Sequence, residues 1–129
     1  MKKNLFFLAI AASFMVMATS CKKDDPKPSI IGFWKGKYGN GNDIPTFDYA
    51  VLFKSGNKIR VYAGNNADTT LATKFDGTYN DDTKGVITTL YDEDLLTSAI
   101  VDGNYTVMQG TIGFSPSVSN LGTFNLTKQ

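Results

Sequence analysis

The sequence contains no histidine and only one cysteine, one tryptophan, one arginine and one glutamate among its 129 residues. Without histidine the commonest general base and the commonest zinc ligand are both missing. A single cysteine forbids any disulfide within the chain, so a folded domain must rest on its hydrophobic core alone. Formal net charge is +1, and setting aside Lys2 and Lys3 leaves eleven basic residues against twelve acidic. No basic stripe runs through the chain, which excludes nucleic acid as a natural partner. The length suits one domain with one core.

What is present is concentrated first at the N-terminus. Lys2 and Lys3 precede an apolar run, residues 5–17, interrupted only by Ser13. That run is well short of the ~20 residues a spanning helix needs. Ala18, Thr19 and Ser20 follow, so residues 1–20 have the layout of a cleavable export signal. The next residue is Cys21. Ordinary cleavage after Ser20 would also suit the small residues, but it would leave a free thiol exposed at the new N-terminus. The segment resembles a bacterial lipoprotein signal, in which the cysteine after the small residues receives a diacylglyceryl group. The resemblance implies lipidation at Cys21 and attachment to the outer membrane through lipid.

Residues 21–29 read as the lipidated cysteine and its tether. Lys22-Lys23-Asp24-Asp25 with Pro26 and Pro28 cannot build a packed element. At ~3.1 Å per residue, residues 22–29 would reach roughly 25 Å. A lysine followed by an acidic pair beside the cysteine is similar to the surface-export signal of some Gram-negative lipoproteins, which implies a domain facing the cell exterior. A plain solvated spacer would have the same composition.

Residues 30–129 alternate strand-like runs with turn residues. The pattern predicts an all-β domain with strands over 30–38, 47–54, 58–63, 71–79, 85–91, 95–101, 105–114 and 121–128. Phe47, Tyr49, Val51 and Phe53 fall on one face, as do Met108, Ile112 and Phe114, and in the fourth run Leu71, Phe75 and Tyr79. Ser55-Gly56-Asn57, residues 80–84 and Asp102-Gly103-Asn104 are turn chemistry. Eight short strands joined by hairpins point to an eight-stranded antiparallel up-and-down barrel, because closure removes exposed edges. A β-sandwich is the alternative, and it would need a long crossover connection.

Ile31-Gly32-Phe33-Trp34-Lys35-Gly36 is similar to the G-x-W opening of the lipocalin and avidin (calycin) barrels, and residues 122–128 resemble their closing strand. The resemblance implies that Trp34 closes one end of the barrel. An arginine of the last strand stacks on that tryptophan in many lipocalins; here Lys128 stands in the last strand.

In such a meander the connections 39–46, 64–70, 92–94 and 115–120 open at one end. They are the longer and more polar set, and they form the candidate ligand mouth: Asn40, Asn42, Asp43, Asn65, Asn66, Asp68, Asp92, Glu93, Asp94 and Asn120. Turns are polar in any barrel, so the same residues also fit plain connections. Asp92-Glu93-Asp94 is the densest acidic run, but neighbours in an extended segment point to opposite sides and rarely converge on one ion.

Tyr38, Tyr49, Tyr62, Tyr79, Tyr91 and Tyr105 could stack on a ligand, yet a strand-rich fold also uses tyrosine to fill and flank its core. Trp34, Phe53 and Phe75 are assigned to that core. The interior is expected to be packed by its own side chains, with at most a shallow cavity. No nucleophile with a base partner and no phosphate loop can be assembled, so no enzyme activity, cofactor or metal is expected. The function expected is a lipid-anchored binding module for a small ligand or glycan. The alternative is an envelope protein-interaction module, such as a hydrolase inhibitor or a subunit of a surface complex.

Overall fold

The computed structural model describes residues 27–64, 69–82, 84–92 and 94–129. Eight strands follow one another: β1 (Gly32–Asn40), β2 (Phe47–Lys54), β3 (Lys58–Ala63), β4 (Thr73–Asp81), β5 (Val86–Tyr91), β6 (Leu95–Val101), β7 (Val107–Phe114) and β8 (Gly122–Lys128). Each pairs antiparallel with its chain neighbour, and β8 pairs back onto β1, giving a closed barrel. The β-sandwich alternative is thereby excluded: a ring in which first and last strands are hydrogen-bonded has no second sheet to pack against. The closing ladder runs from Trp34↔Lys128 through Gly36↔Leu126 to Asn40↔Gly122. Among the described residues every ladder and the whole core lie within residues 30–128, so this segment carries its own core.

Alternation sets the inside. Trp34, Phe53, Ile59, Ile87, Met108 and Leu126 are sealed from solvent and crowd the end from which β1 departs. The Trp34 and Phe53 rings meet edge-on at 6.3 Å, and Phe53 meets Tyr79 the same way at 5.1 Å. Trp34 Nε1–H donates to the Ile30 carbonyl at 2.8 Å, so the residues preceding β1 fold under the ring as a plug. Lys128 Nζ stands 6.0 Å from the Trp34 ring centroid and donates to the Ser29 carbonyl at 2.6 Å. Gly110 gives the Phe124 ring its place, because a Cβ there would sit 2.6 Å from the ring tip.

Outside, the barrel presents Lys35, Lys37, Arg60, Asp76, Gln109 and Asn125, with Arg60 forked onto both Asp76 oxygens at 2.7 and 2.8 Å. Leu90, Ile100 and Val107 are exposed among these polar residues, so the outer wall is mixed.

Several boundaries differ from the pattern. β4 begins at Thr73 and runs to Asp81, because its ladder with β5 continues to Asp81↔Ile87. Leu71 therefore lies outside the strand and is 73% exposed instead of sharing a face with Phe75 and Tyr79. β7 begins at Val107, since Tyr105 takes φ 56° in a turn that the Asp102 carboxylate caps. The interior is packed by its own side chains in the plugged half. Toward the other end a cavity of about 330 Å³ remains, where the small residues Gly39, Ala63 and Gly122 line the wall. Phe75, assigned to the core, is only partly buried there and faces that cavity.

A candidate ligand-binding mouth

The cavity lies at the end where β1 leads to β2, β3 to β4, β5 to β6 and β7 to β8. Its wall is built by inward-facing residues near the strand ends: Tyr38 from β1, Tyr49 from β2, Phe75 from β4, Tyr91 from β5, Leu95 from β6 and Ile112 with Phe114 from β7. Period two puts these side chains inside, and their place next to the loops leaves nothing stacked above them. Tyr38 and Tyr49 meet at 5.7 Å and 66°, and Phe75 and Tyr91 at 6.1 Å and 44°.

The polar feature of the cavity wall is a pair. Tyr49 and Tyr91 hydroxyls are 3.1 Å apart and both residues are buried. Burial, with Tyr91 beside it, pushes the Tyr49 phenol well above its ordinary pKa, and burial likewise raises Tyr91. Both phenols are therefore neutral wherever the protein is folded in ordinary buffers. The pair holds two hydroxyl hydrogens and its mutual bond consumes one, so one O–H is left over for a further acceptor. Deeper in the barrel Thr89 and Thr97 form a second buried hydroxyl pair at 2.6 Å.

Of the loop residues expected at the mouth, Asn40 and Asp92 line the cavity. Asp92 stands at the rim in a left-handed conformation, φ 50°, its carbonyl accepting from Asp94 N–H at 2.6 Å. Asn42, Asp43 and Asp94 are exposed on the loops without lining the cavity. Asn120 is structural: its Oδ1 accepts from Phe114 N–H at 2.8 Å and shapes the last mouth loop. Asn65, Asn66, Asp68 and Glu93 lie outside the described residues, as do Cys21 and the acidic pair of the tether. The polar loop residues and the cavity thus lie at the same end of the barrel, and the cavity wall itself is mainly aromatic and aliphatic. The lining aromatics carry a signal in the sequence nonetheless, being inward positions immediately next to the longer loops.

Four exposed apolar side chains belong to the connections and strand ends of this half. Ile44 is 83% exposed, Leu71 73%, and Phe47 and Phe114 are partly so. Among the described residues no group of three or more acidic or cysteine side chains could hold a metal ion. Comparison of the chain with protein-family models, characterised proteins and solved structures returns no match.

Proposed function

We propose that this protein is a lipid-anchored binding module of the bacterial outer membrane that holds a small ligand in the mouth of its barrel. The observation that carries this reading is the cavity of about 330 Å³ with aromatic walls and a buried hydroxyl pair. Its volume falls at the lower end of the roughly 300–1,000 Å³ typical of small-molecule sites, and its few polar groups amid apolar wall are the usual recipe for such a site. An apolar or aromatic body with one hydrogen-bonding group suits it better than a glycan, whose many hydroxyls would go unpaired.

The lipid anchor rests on Lys2, Lys3, the apolar run and Cys21, and the resemblance to a surface-export signal rests on Asp24 and Asp25. The chain enters the barrel at the plugged end, where Ser29 and Ile30 are tied to Lys128 and Trp34. A tether from Cys21 would then hold that end toward the membrane and leave the mouth open to the cell exterior. The exposed apolar residues Ile44, Phe47, Leu71 and Phe114 in this half support a second reading, in which the protein docks an envelope protein.

The test is a calorimetric and thermal-shift screen of residues 27–129 against small neutral, cationic and anionic aromatics, glycans and envelope proteins. Ligands should raise the apparent stability by mass action. Ala63→Trp, which places a ring in the cavity, should abolish small-ligand binding while leaving the barrel folded. Protein binding that survives Ala63→Trp, with no small ligand found, would favour the docking reading. Cys21→Ser in the full chain should release it from the membrane fraction; retention there would remove the anchor from the proposal.

A further inference from the structure

The mouth carries an electrostatic asymmetry that selects among ligands. No lysine or arginine lines the cavity, whereas Asp92 does, exposed at the rim. The described residues of the four connections at this end contain three acidic residues, Asp43, Asp92 and Asp94, and not one basic residue. The two cations nearest in sequence are held on the outer wall: Lys37 is paired with Asp48, and Lys74 sits opposite Tyr62 on the exposed side of β4. Neither ion pair among the described residues involves Asp92.

An anionic ligand entering this cavity would lose its water and meet no compensating charge, which is the costly case for burial. A cation meets the opposite. Tyr38, Tyr49, Phe75, Tyr91 and Phe114 surround the space with ring systems whose faces attract positive charge, and Asp92 stands at the edge. A low-dielectric cleft rimmed by one sign of charge also concentrates the ion of the other sign.

We propose that the ligand of the mouth is a small organic cation, a substituted ammonium joined to an apolar or aromatic body. This rests on the reading of the cavity as a small-ligand site and narrows it. The ammonium head lies among the tyrosine rings near Asp92, and the apolar body occupies the remaining space toward Leu95 and Ile112. The free hydroxyl of the tyrosine pair serves any acceptor the ligand carries.

The experiment compares three probes of one shape on residues 27–129 by titration calorimetry: benzyltrimethylammonium, its uncharged carbon isostere neopentylbenzene, and the anion 3-phenylpropanoate. The cation should bind about tenfold tighter than the isostere, and the anion should give no saturable binding over the same range. Added salt should weaken the cation alone. Asp92→Asn is the discriminating variant, because asparagine tolerates the positive φ of that position and the fold should survive. It should bring the cation to within about threefold of the isostere while leaving the isostere unchanged. Ala63→Trp should remove binding of the cation altogether.

Equal or tighter binding of the isostere would overturn the cation assignment and leave the small-ligand reading standing. So would saturable binding of the anion. Cation binding that persists in Ala63→Trp would place the cation on the acidic surface and also overturn it. Failure of all three probes overturns it as well, and the wider screen with other small molecules then decides separately whether the cavity is a ligand site.

Discussion

At the plugged end Trp34, Phe53, Ile59, Met108 and Leu126 are sealed together, Ile30 closes beneath them, and Lys128 lies over the ring. At the mouth Tyr38, Phe75 and Leu95 are only partly buried, and a cavity remains between them. The same eight strands supply both ends, and the same alternation directs both sets of side chains inward. The difference is volume and what stands above the last inward residue. One end has a folded N-terminal segment to cover it, while at the other end Asp92 and Leu121 of the connections only edge the cavity. Stability should therefore be concentrated at the plug and recognition at the mouth.

The largest effect that can break this contrast is Trp34→Ala. Deleting a fully buried large aromatic costs about 3–5 kcal/mol, a large share of the ~5–15 kcal/mol available to a typical domain. Phe114→Ala at the mouth, half exposed, should cost below about 1 kcal/mol and change ligand affinity instead. Urea unfolding of residues 27–129 with each change measures both. Similar losses at the two positions would mean that the ends share the load.

A smaller effect sharpens the picture at the mouth itself. Tyr91→Phe removes one hydroxyl of a buried pair and leaves the Tyr49 hydroxyl without its partner, at a cost of about 1–3 kcal/mol. Tyr49→Phe should behave alike. The double change removes both hydroxyls and should cost less than the sum, since two apolar rings leave nothing unsatisfied. Strict additivity of the two single changes would show that the hydroxyls face water separately, and the polar pair in the cavity wall would lose its role.

Much of this architecture is legible in the sequence. β2, β3 and β6 have the boundaries their alternation predicts, because each is bracketed by residues with a definite conformational demand; Gly56 and Asn57 take φ 72° and 58° in the tight turn after β2. The position of Leu71 misleads, since an apolar residue two before a strand fits its period whether or not the ladder reaches it. Trp34 stands out in the sequence as the single tryptophan, on the first strand, and it lies buried at one end of the barrel with Lys128 over its ring. The site is the least legible part. Alternation states that Tyr38, Tyr49 and Tyr91 point inward, but whether an inward tyrosine fills space or lines it depends on how many small residues surround it in three dimensions. Gly39, Ala63 and Gly122 come from three different strands and meet only in the closed ring. Polar loop residues are conspicuous in a sequence, and so Asn42, Asp43 and Asn120 attract attention that belongs to the strand ends beneath them.

The smallest effect is confined to acid and tests the plugged end from its other side. The β6–β7 hairpin, at that end, is fastened by Asp102. Its carboxylate accepts from Val107 N–H at 2.8 Å, Thr106 Oγ1–H at 2.7 Å and Thr106 N–H at 2.6 Å. These bonds, the one from Val107 foremost, hold the Asp102 pKa at about 2. An aspartate in the unfolded chain titrates near ~3.9. The folded state therefore binds the Asp102 proton less readily than the unfolded state, and the group adds stability that is fully present above pH ~4 and is lost as pH falls toward 2. Arg60 lowers the Asp76 pKa and contributes in the same sense on the outer wall, so a variant must isolate the hairpin. Asp102→Asn removes the charge and keeps the shape. Urea midpoints should separate wild type from variant at pH 7 and converge as pH approaches 2, because protonation leaves the wild type with the same uncharged cap. A gap that stays constant across that range would mean that the cap acts through shape alone. The hairpin charge would then drop out of what distinguishes the plugged end from the mouth.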